Sequence, residues 1–98
     1  MAHLVTTKTG SQYLIDVEAQ FWAKNREQWN RTWNLKIVDR EAVAELPDDA
    51  SVWEYIEDQE RVELPVVGKA FYITGRDFWY VTTTVVSIEE VDKDYWSE

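Results

Sequence analysis

Length, composition and charge narrow the classes of protein to which this chain can belong. It has 98 residues, a formal net charge of −9 at pH 7, no cysteine and one histidine. The length fits one domain over residues 1–98, and the acidity argues against a direct nucleic-acid binder or an anionic membrane surface. The lack of cysteine excludes disulfides, thiolate metal sites and cysteine nucleophiles, and it favours a cytoplasmic location.

Alternating apolar and polar residues predict strands in the first quarter of the chain. We predict a strand over residues 4–9, which ends at the turn dipeptide Gly10-Ser11, and residues 12–18 then alternate as in a half-buried strand. A turn near 19–20 leads into residues 21–26, which we predict to be the partner strand. The first quarter therefore predicts consecutive antiparallel hairpins.

The tryptophan-rich stretch that follows supports two interpretations. Trp22, Trp29 and Trp33 are spaced seven and four residues apart, which would place them on one face of a helix. However, this stretch contains several asparagines, which are poor helix formers, and its last residues alternate strictly. We therefore predict a loop over residues 25–30 and a strand over 32–37.

The negative charge is concentrated in the middle of the chain. Residues 41–63, here called the acidic segment, contain nine carboxylates and one base, Arg61, so they carry −8 of the net −9. Ser51 and Glu54 have the spacing of a capping box, in which both side chains cap exposed backbone N–H groups. We predict one short acidic helix about residues 52–60, with a short helix or a loop at 41–46.

The last third of the chain returns to strand patterns. Residues 66–73 alternate, 75–77 predict a turn into 78–83, and 85–91 predict a final strand before an acidic tail. The chain is therefore predicted to be mainly β, a β-rich α+β domain. We expect a small twisted antiparallel sheet or partly open barrel with one short helix, and a sheet-and-helix layer is the alternative.

Both ends of the chain resemble known proteins. Residues 7–16 (TKTGSQYLID) look like the first hairpin of small uncharacterised β-rich proteins of actinobacteria and their phages. Residues 67–73 (VGKAFYI) and 82–88 (TTTVVSI) are similar to the final strands of those proteins. The resemblance implies a β-rich fold and a phage setting. It supplies no functional residues and does not include the acidic segment.

The acidic segment supports three interpretations. Solubility is the commonest reason for such charge. The carboxylates could instead dock on a basic surface of a partner protein, or imitate the phosphates of a nucleic acid and inhibit a nucleic-acid-binding or defence enzyme. Among the functions, we favour docking on a basic partner. The candidate contact residues are Asp48, Asp49, Trp53, Glu54, Tyr55, Glu57, Asp58 and Glu60.

A second candidate site mixes aromatic and basic residues. Trp22, Arg26, Trp29 and Arg31 interleave in a way that suits stacking on a ligand such as a base or a sugar. Alternation along a hairpin would equally place the tryptophans in the core and the bases in solvent, and we favour that arrangement. In the predicted loop, Trp29 is the tryptophan that we expect to be most exposed.

The sequence contains no motif that is specific to a catalytic or a metal-binding site. The single His3 is a poor source of a general base, and Asp48-Asp49 and Glu57-Asp58 lack the spacing of a calcium loop. We therefore expect no enzyme, no metal and no cofactor. The alternative to a partner-binding protein is a structural or assembly component of a phage that self-associates into a homo-oligomer through its strand edges and aromatic surface.

Overall fold

The computed structural model describes residues 2–26, 28–31, 35–60, 62–75, 78–92 and 94–96, and for 28–31 the backbone alone. This part of the chain is mainly β, as predicted, with strands in two antiparallel sheets and two short helices. The strands are β1 (Ala2–Thr7), β2 (Gln12–Asp16), β3 (Phe21–Lys24), β4 (Gln28–Arg31), β5 (Ile37–Asp39), β6 (Phe71–Thr74), β7 (Trp79–Val81) and β8 (Val85–Val91). The helices are α1 (Arg40–Ala44) and α2 (Val52–Glu57).

The two sheets pack face to face around the main core. The larger sheet has the order β4-β3-β2-β1-β8 and the smaller one β5-β6-β7. Their shared apolar cluster comprises Val5, Tyr13, Ile15, Trp22, Leu35, Ile37, Phe71, Ile73 and Val85. Trp22 also joins the sheets directly, because its indole Nε1–H donates to the Thr74 carbonyl at 2.7 Å.

The outer faces of both sheets are covered by other segments of the chain. Trp96 packs on the larger sheet, against a cluster that includes Leu4 and Leu14. On the smaller sheet, Val43 of α1 and Ile56 of α2 pack against Val38 of β5. The helices that carry the acidic segment are therefore fixed to a sheet, and this places the carboxylates on a rigid support.

The predicted loop over residues 25–30 is wrong. β4 begins at Gln28 and pairs with β3, so the chain turns at Asn25 and Arg26. Both turn residues have positive φ, 50° and 65°, and the Asn25 side chain accepts a hydrogen bond from the Gln12 N–H at 2.8 Å. Backbone pairing with β3 therefore outweighs the low strand propensity of the asparagines.

Other predictions differ from the structure at their boundaries. In the predicted strand 32–37, residues 32–34 lie outside the described part, while Leu35 and Lys36 precede β5. Residues 35–38 are all buried instead of alternating, because the smaller sheet is covered on both faces. Helix α2 ends at Glu57, and a second short helix, α1, forms over residues 40–44.

Two glycines serve turns for different physical reasons. Gly10 adopts a φ of 90°, which other residues rarely tolerate, at the turn between β1 and β2. Gly75 lies under the ring of Phe78, so a Cβ at residue 75 would collide with that ring. The predicted turn at 75–77 thus begins at a position where a side chain would not fit; residues 76 and 77 lie outside the described part.

Candidate partner-binding site

Helix α2 holds the centre of the acidic segment in a defined position. Ser51 is its N-cap, and the hydroxyl accepts a hydrogen bond from the Glu54 N–H at 3.2 Å, which is the Ser51 half of the predicted capping box. Ile56 is fully buried, and the half-buried Tyr55 packs against the same apolar cluster. One face of α2 is therefore used for folding, and the other is left to solvent.

The predicted contact carboxylates all lie at the surface. Each of them is exposed: Asp48, Asp49, Glu54, Glu57, Asp58 and Glu60. In the described part of the chain, none of them forms an ion pair; the one ion pair there joins Lys69 Nζ to Asp39 Oδ2 at 3.1 Å. Their charges are consequently free to act on a molecule outside the protein.

The side chain of Trp53 is held in place by a neighbouring aromatic ring. Its ring packs edge-on against Trp79 of β7, with centroids 4.8 Å apart and planes at 83°. The side chain is half-buried, so part of the indole remains accessible beside Glu54. This arrangement fixes the rotamer of Trp53, and a preorganised aromatic side chain loses little entropy on binding.

A shallow groove runs beside α2 and has a volume of about 520 Å³. It brings together three of the predicted residues, Tyr55, Asp58 and Glu60. The remaining lining is Ile37, Val38, Asp39, Ala42, Gln59 and Glu63. The other predicted contact residues do not line the groove, so the candidate site consists of this groove and the more open surface around Trp53.

Sequence reasoning missed Asp39 and Glu63 as parts of the groove. Asp39 lies outside the acidic segment, but it is the N-cap of α1 and accepts a hydrogen bond from the Glu41 N–H at 2.9 Å. That hydrogen bond and the nearby Lys69 hold the pKa of Asp39 below its ordinary value. An aspartate directly before a helix is a recognisable cap, and this signal was available in the sequence.

A buried lysine is bonded to the backbone of Gln59, one of the residues that line the groove. The Lys36 side chain is buried, and its ammonium group donates to the backbone carbonyl of Gln59, which lies between Asp58 and Glu60. A charged group in such a position requires a partner, and here the partner is a main-chain oxygen. Lys36 therefore fixes the backbone at the end of the acidic segment.

The aromatic and basic residues of the second candidate site do not share one environment. Trp22 has no exposed surface, so it presents no ring face for a ligand to stack on. Arg26 is exposed in the turn after β3. The side chains of Trp29 and Arg31 lie outside the described part, as does Trp33, and stacking by Trp29 stays a prediction.

Lys24 takes a position that the alternation argument did not anticipate. Its ammonium group lies 5.4 Å from the centroid of Tyr80 and 5.8 Å from that of Tyr13. The Tyr80 ring packs edge-on against Trp22, with centroids 5.5 Å apart. This basic side chain therefore covers the aromatic edge of the core, whereas alternation along the hairpin would place the bases in solvent.

Comparison with protein families, with curated proteins and with solved structures found no match. Across the residues that the structure describes, no three His, Asp or Glu side chains are grouped so that they could hold a metal ion. No described helix has the length and apolar character needed to cross a membrane.

Proposed function

We propose that this protein binds another macromolecule, docking through its acidic segment on the basic surface of a partner protein. The observation that carries the proposal is the surface of α2 and the residues next to it, where exposed carboxylates that form no ion pair within the described part of the chain lie on the same short capped helix as the half-buried Trp53 or follow it directly. Charged groups that attract a partner from a distance, placed around an apolar anchor, are a common design of protein interfaces.

The positions of Glu57 and Asp58 add to this argument. They lie at the C-terminal end of α2, where the backbone carbonyls carry partial negative charge and no basic residue is present in the last turn. Carboxylates at this end of a helix lower the stability of the fold. Their presence therefore has a physical reason if they meet positive charge on a partner.

The groove suits the side chain of an arginine or a lysine. A cation entering it would meet the carboxylates of Asp58, Glu60 and Glu63, and the ring of Tyr55 would be available for a cation–π contact. The apolar lining from Ile37 and Val38 would accept the methylene groups of such a side chain. We therefore expect the partner to insert at least one basic residue here.

The test is affinity purification from extracts of the source organism at low and high salt, followed by affinity measurement with the purified partner. The test variant carries Glu54→Gln, Glu57→Gln, Asp58→Asn and Glu60→Gln. The loss of four exposed charge pairs should weaken binding roughly tenfold or more. Binding of the natural protein should also weaken at high salt, because salt screens exposed charges.

A matched control variant separates the effect of local contacts on affinity from the effect of net charge. The control variant carries Glu18→Lys, Asp77→Asn and Glu98→Gln, which changes the net charge by the same amount but leaves the acidic segment and β8 intact. We expect its affinity to stay within about twofold of the natural protein. Equal weakening of both variants, or binding without salt dependence, would contradict docking through the acidic segment.

The same measurement distinguishes the competing functions. If the partner is a nucleic-acid-binding protein and added DNA displaces this chain, the acidic surface acts as a mimic of nucleic acid. If the chain forms a defined oligomer at micromolar concentration and captures no partner, it acts as an assembly component. A monomer that binds a basic protein which DNA does not compete for supports the proposed function.

A further inference from the structure

We propose that the outer edge of β8 binds an extended basic segment of a partner protein as an added β-strand. This site is separate from the acidic segment and does not depend on the function proposed above. β8 is the longest strand in the described part of the chain, with seven residues, and it lies at one end of the larger sheet. An edge strand offers backbone donors and acceptors that a second strand can pair with.

The pairing of β1 shows which of its residues face β8. The Thr7 N–H donates to the Ser11 carbonyl at 2.9 Å, so Thr7 faces β2. Because hydrogen-bonding direction alternates along an antiparallel strand, Val5 and His3 also face β2. The intervening Leu4 therefore directs its backbone groups towards β8.

The same alternation identifies the free groups on β8. Glu89 is paired with Leu4 and so faces β1, which turns the N–H and C=O of Ile88 and Glu90 outward. Val85 also faces outward, and its N–H and C=O bond to the turn 68–69 at 2.9 and 2.8 Å. Among the described residues, no further backbone segment bonds to the outer edge of residues 86–91.

The side chains around this edge indicate the chemistry of the occupant. Glu89, Glu90, Asp92 and Asp94 are exposed along and beyond the second half of β8. At the other end, exposed valines flank the hydrogen bond between Gly68 and Val85; they are Val66, Val67 and Val86, at 59, 54 and 51%. The edge therefore suits an extended segment with basic residues along one part and an apolar residue at its end.

A second copy of this chain fits the edge less well. Self-pairing would bring the carboxylates of two β8 strands together, between molecules that each carry a net charge of −9. Like charges across neighbouring strands are destabilising. Charge complementarity therefore selects a basic partner strand over a second copy.

The test uses a capped nonapeptide of alternating lysine and valine, with the glutamate–valine peptide of equal length as the control probe. Binding of the first peptide to the whole chain should protect the amide protons of Ile88 and Glu90 from hydrogen exchange. The control peptide should not bind. Absence of protection at these two amides, or equal binding of both peptides, would overturn the proposal.

Two variants at residue 90 separate the contribution of the backbone hydrogen bond to peptide affinity from that of the side-chain charge. Glu90→Pro removes an outward N–H, and proline is tolerated at such positions of edge strands. The loss of this donor should lower the affinity for the lysine–valine peptide roughly tenfold. Glu90→Gln keeps the N–H and should lower that affinity only about twofold. Unchanged binding by Glu90→Pro would overturn the assignment.

Two further outcomes bear on the location of the site. The variant with Glu54, Glu57, Asp58 and Glu60 neutralised should bind the peptide as the natural protein does, and loss of binding there would overturn the proposal by placing the site on the acidic segment. Protection of Ile88 and Glu90 that rises with protein concentration in the absence of peptide would show that a second copy is the occupant. That result would overturn the proposal.

If the Glu90→Pro variant does not fold, the hydrogen-exchange measurement on the natural protein decides whether the proposal holds.

Discussion

Trp22 joins the two sheets of this protein through a single side chain. It is fully buried, packs edge-on against Tyr80 and donates a hydrogen bond to the Thr74 carbonyl. We predict that Trp22→Ala lowers the free energy of unfolding by about 3–5 kcal/mol. Trp22→Phe keeps most of the volume but loses the donor, and should cost roughly 1–3 kcal/mol. Urea denaturation followed by circular dichroism measures both, and a loss below 1 kcal/mol for Trp22→Ala would contradict a core position.

Asp39 links helix α1 to the turn that carries Lys69. The Glu41 N–H and Lys69 lower the pKa of Asp39, and Asp39 in turn raises the pKa of Lys69. The pKa of Asp39 is lower in the folded protein than in the unfolded chain. The ionised carboxylate therefore stabilises the fold fully at pH values above the unfolded-state pKa, near 4, and this stabilisation is lost as the pH falls through the folded-state pKa. Lys69 loses its contribution only in strongly alkaline solution.

A variant with the same cap but no charge tests this pH dependence. Asn is also a good N-cap, so Asp39→Asn keeps the cap and removes the carboxylate. We predict that the natural protein is more stable than Asp39→Asn at neutral pH and that the difference disappears as the pH is lowered below 4. Denaturation curves between pH 2 and pH 7 measure it, and a difference that persists at pH 2 would contradict this assignment.

The turn between β3 and β4 is the element that sequence reasoning interpreted least well. Asn25 and Arg26 both adopt left-handed backbone conformations, which a glycine adopts without steric cost. We predict that Arg26→Gly raises the free energy of unfolding by up to about 1 kcal/mol. Asn25→Gly is the matched control. It also removes the side chain that accepts a hydrogen bond from the Gln12 N–H, so it should stabilise the protein less than Arg26→Gly does. Destabilisation by Arg26→Gly would show that its side chain contributes to the fold.

Helix α2 carries its acidic residues at both ends. Glu54 in the first turn is favoured by the helix dipole, whereas Glu57 at the last residue is opposed by it. We predict that Glu57→Gln stabilises the protein by about 0.3–1 kcal/mol, while Glu54→Gln lowers stability slightly. Thermal denaturation at low ionic strength compares the two, and equal effects would contradict the dipole argument.

Elements with strong local signals were predictable from sequence. Ser51 begins α2 as its spacing to Glu54 indicates, and β8 spans the predicted residues 85–91, because capping and alternation act over short distances. β4 was not predictable, since its pairing with β3 depends on a turn that Asn25 and Arg26 form without glycine. For the site, the exposed carboxylates followed from composition, but the groove that adds Asp39 and Glu63 required the fold.

At the scale of the whole molecule, negative charge exceeds positive charge. The net charge is −9, and in the described part of the chain one ion pair, between Lys69 and Asp39, is present. We predict that raising NaCl from 0.02 to 0.3 M increases the free energy of unfolding by about 1 kcal/mol, because salt screens repulsion within the folded state. The variant with Glu54, Glu57, Asp58 and Glu60 neutralised should gain less stability. A fall in stability with salt would indicate that ion pairs dominate instead.

The sequence by itself determined the mainly β fold, the capped helix and the acidic surface, because alternation, capping and charge are local properties of the chain. Tertiary structure decided which residues these features bring together. The division into two sheets, the covering of both outer faces and the groove between α2 and β5 all depend on contacts between distant residues, such as Trp22 with Thr74 and Lys36 with Gln59. Such contacts depend on how layers pack, and packing leaves no fixed spacing in a sequence.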